Sequence, residues 1–215
     1  MSASSGSILV LGASGLIGRA VTDDLRSDGF QTIGVARRFS AGQKLSALDL
    51  ELPIMTMDVA ALASLLRDRA VNVVVNCLGV LQDGPGSDTS AVHRDFVERL
   101  LQAIKESGRA IRLIHISIPG AAKDDRTAFS TTKREAERLI AASGVPYAIL
   151  RPGFVIAPAA FGGSAMVRAF AAMPLALPGA ESAKPFQPVA IGDIAATVAW
   201  LAVRDLDEAT TNAVT

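Results

Sequence analysis

The sequence predicts an α/β protein: a doubly wound parallel sheet with a small C-terminal cap. Three observations carry that expectation. Short apolar runs alternate with longer amphipathic ones, and strands alternating with helices of that length specify a parallel sheet with helices on both faces. The apolar runs are continuous, so both faces of each strand should be covered. A glycine-rich turn, Gly12-Ala-Ser-Gly15-Leu-Ile-Gly18, stands between the first strand and the first helix.

Taken in order, Ser7–Leu11 reads as a buried strand and Leu16–Ser27 as a helix ended by Asp28-Gly29. Thr32–Ala36 is a second strand, and Leu45–Leu50 a short helical turn. Ile54–Met57 is expected as the third strand, followed by a helix over Val59–Asp68. The β-branched run Val71–Cys77 predicts a central strand. Ser90–Ser107 is a long helix closed by Gly108, and Ile111–Ser117 another strand. Arg126–Ala142 is a charged amphipathic helix closed by Ser143-Gly144, and Tyr147–Leu150 the sixth strand. Beyond Arg151, Gly and Pro become frequent, and residues 152–190 are expected to form the cap, as buried or substrate-covering loops. A last helix runs from Ile191 to about Ala202, with Asp193 favourable near its N-terminus. No repeat or low-complexity tract interrupts this order, and residues 1–215 read as one domain.

Composition narrows the function classes. The 215 residues include 21 Lys plus Arg and 21 Asp plus Glu, for zero net charge, which argues against nucleic-acid binding. Half the residues are hydrophobic, too many for a disordered chain. The one cysteine, Cys77, excludes an internal disulfide and a cysteine-based zinc site. The two histidines, His93 and His115, stand in no metal motif, and no metal is expected. His93 reads as solvent-facing and His115 as a core residue. Met1–Ser7 lacks a basic secretory leader, and the cysteine usage fits a cytoplasmic protein.

The glycine turn is the strongest motif. Gly12 permits the tight turn, Gly15 lets the backbone approach a pyrophosphate, and Gly18 lets the helix pack close to the strand. The helix N-terminus then offers N–H groups and its positive dipole end to phosphates. Gly12, Ala13, Ser14, Gly15, Leu16, Ile17 and Gly18 are thus the expected cradle of a dinucleotide in a Rossmann-type sheet. The second strand ends in Ala36-Arg37-Arg38-Phe39. No acid stands there to bind a ribose 2′-OH, whereas two guanidiniums suit a 2′-phosphate. NADP(H) is therefore expected over NAD(H). Arg19 could assist or be an ordinary surface residue. Asp58, before Val59, could accept from an adenine amino group, cap the next helix, or do both. Asn76-Cys77-Leu78-Gly79 ends the fourth strand, where a small segment can pass the adenosine ribose. Cys77 reads as a buried filler rather than a nucleophile.

These residues, with His115-Ile-Ser117, Lys133-Arg-Glu-Ala-Glu137, Arg151-Pro-Gly153 and Val189-Ala-Ile-Gly-Asp193, resemble the short-chain dehydrogenase/reductase superfamily. The resemblance is to its extended or atypical branch, near the NmrA-like and complex-I-accessory-subunit-like group, and covers Ile8 to about Ala202. It implies a catalytic Ser–Tyr–Lys set. Ser117 matches the Ser, which positions the substrate oxygen, and Lys133 the Lys, which holds the nicotinamide ribose. Phe129 occupies the Tyr slot, and the chain's one tyrosine, Tyr147, reads as core. The resemblance further implies that Pro152, Gly153 and Phe154 line the nicotinamide, although a rigid strand exit would use the same residues.

Two functions follow as expectations. One is an NADP(H)-dependent oxidoreductase acting on a small carbonyl or quinone-like substrate. The other is a non-catalytic NADP(H)-binding sensor or assembly module, for which Phe129 argues. A homo-oligomer or a protein partner fits either one. The charged run Lys133–Arg138 reads as a solvated helix face, Trp200 as packing of the last helix, and residues 79–90 as a gate or a connector. The chain stops at Asn212–Thr215, where related proteins often continue, and a membrane contact is expected only through such an extension.

Overall fold

A computed structural model describes residues 6–43, 45–81, 83–84, 88–121, 123, 125–158, 163–173 and 187–203. Six parallel strands form the main sheet in the order β3-β2-β1-β4-β5-β6. They are β1 (Ser7–Leu11), β2 (Thr32–Ala36), β3 (Leu50–Glu51), β4 (Val71–Asn76), β5 (Arg112–Ile116) and β6 (Tyr147–Leu150). The order reverses between β1 and β4, so their carboxyl ends open the crevice in which such sheets bind ligands.

Alternate strand residues serve opposite faces. Leu9, Leu11, Val74 and Leu113 pack beneath α2 (Val59–Asp68), α3 (Phe96–Glu106) and α4 (Ala128–Ala142). Ile8, Val10, Val75, Ile114 and Ile116 pack against α1 (Leu16–Ser27) and the terminal helix α6 (Ile191–Val203). Both faces are covered, which is why the strands read as continuous apolar runs. Tyr147 opens β6 and packs, partly buried, on the first of these clusters.

Several elements differ from the sequence reading. The third strand is Leu50–Glu51, paired with Val35 and Ala36, while Ile54–Thr56 forms a single 3₁₀ turn. Pro53 has no N–H to give a ladder, and Ile54 is apolar because it is buried, not because it is strand. The Leu45–Leu50 stretch contains a turn in which the Asp49 N–H donates to the Ser46 carbonyl. Asp49 also shields the margin of β2: its carboxylate accepts from the Gly34 and Ser46 N–H groups, at 2.9 and 2.8 Å, and pairs with Arg26. The long helix begins with a π turn, Ala91–Asp95, before α3.

Within the expected cap, β7 (Phe154–Ile156) and β8 (Pro188–Ala190) pair in parallel. Helix α5 (Gly163–Ala171) replaces part of the expected loop, and residues 168–173 are exposed rather than buried. Alanine, methionine and arginine favour helix there, with glycine and proline confined to its ends. Pro174, Pro178, the rest of 174–186, Pro85-Gly86 and Asn212–Thr215 lie outside the described residues. Trp200, on α6, is 43% exposed. No helix among the described residues is long and apolar enough to cross a membrane.

Candidate functional site

The carboxyl ends of β1, β2, β4, β5 and β6 bring the glycine turn, Arg37-Arg38, Cys77–Gly79, Ser117 and Arg151–Gly153 to one edge. Gly12 has φ +80°, a conformation that glycine adopts without penalty. The Gly12 and Ala13 N–H groups donate to the Val35 carbonyl at 2.9 and 3.0 Å. A Cβ at Gly18 would collide with the Gly12 carbonyl, so α1 can start this close to β1 only because residue 18 is glycine. Gly15 caps α1 with backbone alone, and no side chain hydrogen-bonds over the opening turn. A bare helix N-terminus behind a glycine turn fits a pyrophosphate.

On the adenosine side, Arg37 and Arg38 are exposed while Phe39 folds inward. The Phe39 N–H donates to Glu51 Oε1 at 2.8 Å, and Gln43 Nε2 donates to the Ala13 carbonyl at 2.8 Å. The segment carrying the arginines is thereby tied to β3 and to the glycine turn. Gln43 was not singled out in the sequence, and no local motif marks it. Asp58 caps α2, accepting from the Ala61 N–H at 2.8 Å. Arg19 is exposed and lies 3.8 Å from Asp23.

Around Gly79 the site turns from backbone to side chains. The Cys77 N–H donates to the Leu11 carbonyl at 3.0 Å, and burial pushes its thiol up to about 12, far from nucleophilic reactivity. The Lys133 ammonium is buried and donates to the Ile116 and Leu78 carbonyls at 2.9 and 3.3 Å. Burial brings it down to about 8. Ser117 is buried at the end of β5, its N–H donating to the Leu150 carbonyl at 2.7 Å.

His93 is buried, not solvent-facing. Its Nε2 accepts from the Val80 N–H at 3.1 Å, so Nδ1 carries the proton and donates to Thr132 Oγ1, 2.9 Å away. Thr132 in turn donates to the Ala128 carbonyl at 2.7 Å. Phe129 meets the His93 ring edge-on, with centroids 5.4 Å apart. Burial holds His93 down to about 4. His115 is buried as expected, with Nδ1 3.2 Å from Asn76 Nδ2, and burial holds it well below its ordinary value.

The charged run on α4 is not a solvated face throughout. Arg134 and Glu137 are both buried. Arg134 donates to the Ile118, Pro119 and Gly120 carbonyls at 3.0, 2.6 and 2.7 Å and to Glu137 at 3.0 Å. Arg151 grips the same carboxylate with two bonds, at 3.0 and 2.9 Å. Burial opposes the Glu137 charge, but Arg151, Ser117 and Arg134 hold its carboxyl below the usual range. Ser117 Oγ faces it without a hydrogen bond of normal geometry. A signal for this cluster was available: if Lys133 faces the sheet edge, Glu137 one turn later faces it too.

This cluster floors a cavity of about 580 Å³, walled by Pro119, Gly120, Pro152, Gly153, Gln187, Pro188 and Val189. A Cβ at Gly153 would strike the Gln187 carbonyl, so β8 can close on β7 only over a glycine. Phe154 belongs to β7. No group of three or more His, Cys, Asp or Glu among the described residues could hold a metal ion.

The NAD(P)H-binding family matches residues 12–169. A comparison with curated proteins finds no match. Similar solved structures include Thermus thermophilus UDP-glucose 4-epimerase in complex with NAD, with TM-score 0.72 and 18% identity, over 94% of this chain and 75% of that one. The Bordetella bronchiseptica enzyme WbmH with NAD+ has TM-score 0.70 and 17% identity, over 92% and 72%. Thermotoga maritima UDP-glucose 4-epimerase with UDP-glucose has TM-score 0.71 and 19% identity, over 94% and 74%. At these identities the likeness is one of fold.

Proposed function

Because the chain belongs to the NAD(P)H-binding family, with a fold of the short-chain dehydrogenase/reductase type, we propose that it is an NADP(H)-dependent oxidoreductase acting on a small quinone-like acceptor. Residues 1–215 then form one dinucleotide-binding domain with 152–190 as its substrate-side cap. Gly12 to Gly18 hold the pyrophosphate, and Asp58, Val59, Cys77, Leu78 and Gly79 line the adenosine half. Pro152, Gly153 and Phe154 stand at the nicotinamide. Arg37 and Arg38 hold the 2′-phosphate: both are exposed at the end of β2, and the nearby Glu51 carboxylate accepts from the Phe39 N–H. The dinucleotide, when bound, supplies the hydride.

The observation that carries the catalytic reading is the retained pair of Ser117 and Lys133, buried at the sheet edge. Glu137, faced by Ser117, lines the cavity. Phe129 selects among acceptors. Reducing a simple carbonyl creates an alkoxide, which must be protonated as it forms, and a phenyl ring has no proton to give. Reducing a quinone creates a phenolate, a weaker base that makes less demand on the site. Packing of Phe129 on His93, and the hold of two carbonyls on Lys133, favour a second reading, dinucleotide binding without turnover.

Titration calorimetry with NADPH, NADP+, NADH and NAD+, followed by NADPH oxidation with benzoquinone and with aldehydes, separates these. Tight phosphate-dependent binding and quinone turnover support the oxidoreductase. Tight binding without turnover leaves the second reading, and binding of none of the four removes both.

A further inference from the structure

We propose that Lys133 is the proton donor of this site, in place of the phenol that position 129 lacks. The inference rests on the oxidoreductase reading above.

Geometry gives it two supports. Phe129 lies one turn before Lys133 on α4 and packs edge-on against His93, so no acid stands at that position. The Lys133 ammonium gives hydrogen bonds to two carbonyls, Ile116 at 2.9 Å and Leu78 at 3.3 Å. An ammonium has three N–H donors, which leaves one. It also borders Gly79: a Cβ there would stand 3.6 Å from Nζ. Gly79 is exposed and has no side chain to close that flank, so a ligand in the crevice can approach Nζ directly or through one water.

The groups facing Nζ come from every side. Cys77 stands at the end of β4, His93 on the π turn, His115 on β5, and Glu137 on α4 itself. Burial keeps the thiol protonated and both imidazoles neutral, while Arg134 and Arg151 engage the carboxylate. No other cation faces the crevice from this set. With burial holding Nζ at about 8, the ammonium is charged at neutral pH and gives up its proton far more readily than an exposed lysine.

In the step itself the quinone takes up a hydride from the reduced dinucleotide, which is oxidised. The hydride adds at one carbonyl oxygen, the ring becomes aromatic, and an electron pair comes to rest on the other oxygen as a phenolate. The Nζ–H bond breaks as the O–H bond forms, and solvent reprotonates the neutral amine.

The test is NADPH oxidation with benzoquinone between about pH 6 and 10, alongside NADPH affinity, for the wild type, Lys133→Arg and Lys133→Ala. Wild-type kcat should fall as pH rises through about 8, because the acid must be protonated. Lys133→Arg keeps the cation but cannot release a proton, so at saturating NADPH kcat should fall about 100-fold and the alkaline limb should be lost, whatever change in NADPH affinity accompanies it. If the arginine does not fit, Lys133→Ala should regain turnover in proportion to added methylammonium. A flat wild-type profile, or Lys133→Arg turning over at the wild-type rate, overturns the proposal alone. Tight NADPH binding with no quinone turnover overturns it together with the oxidoreductase reading.

Discussion

The two halves of the sheet edge are built from different materials. The β1–β2 half offers backbone: a turn kept open by glycines, a helix start without a side-chain cap, and two guanidiniums in solvent. The β4–β6 half offers side chains drawn out of solvent: Arg134, Glu137 and Arg151 interlock beneath a cavity, and Lys133 is held apart from them by two backbone carbonyls. A backbone cradle needs only the absence of Cβ atoms at fixed spacing, so its residues lie together in sequence. Buried charges are destabilising unless paired and fully hydrogen-bonded, so they occur as a cluster drawn from separate elements. The first half suits a ligand part that does not vary. The second half is held by charges that depend on one another.

Substitutions can break this contrast. The largest effect should come from Gly18→Val. The colliding partner is the Gly12 backbone, which no rotamer change relieves, so a loss of about 4 kcal/mol or more and of all dinucleotide binding is expected, by urea unfolding and calorimetry. Glu137→Ala should follow. It leaves Arg151 without its bidentate carboxylate, whereas Arg134 keeps Asp125, 3.5 Å away, and three carbonyls; the cost should be about 3 kcal/mol, the lower end for a broken buried pair, because Arg151 is 19% exposed. A Glu137→Ala protein as stable as wild type would show that the cluster is not what holds the second half together.

Acid should then act on the second half through its histidines, both of which lie there. His93 has a folded value of about 4, below the ordinary 6.5, so the unfolded chain binds more protons between these values. Stability therefore rises with pH across that window and is lost as pH falls through it, by up to ~3 kcal/mol from His93. His115 acts in the same direction. Unfolding of His93→Gln should depend less on pH over that range. Smaller again, Arg37→Ala with Arg38→Ala should weaken NADPH by roughly 10- to 100-fold, leaving NADH affinity and stability unchanged. Equal losses for both dinucleotides would return these arginines to an ordinary solvated turn. Last, Asp58→Ala should cost about 1 kcal/mol through its lost cap.

The same contrast explains what could be read from the sequence. The first strand, turn and helix were legible because their signals are local and contiguous. Ile54 misled because an apolar run reports burial, and only the neighbouring Pro53 hinted that strand pairing had ended. His93 and the α4 charges misled for a shared reason. Their partners, Val80, Thr132 and Arg151, lie 13 to 39 residues away, and a sequence window sees a charge without the group that neutralises it. Arg151-Pro-Gly153 was noticed as a strand exit, yet its guanidinium gives the second half its bidentate anchor.

Asp49 has a consequence for crowded solutions. An outer strand with spare N–H groups is a template on which another chain can add itself. Here β3 extends over two residues only, and where it stops, the Asp49 carboxylate already occupies the Gly34 N–H, with Arg26 alongside. An incoming strand would have to displace a carboxylate held by a guanidinium before gaining one ladder bond. This margin of the sheet thus guards against fibril-like growth, and the protein should tolerate high concentration on that side without adhering to its own copies.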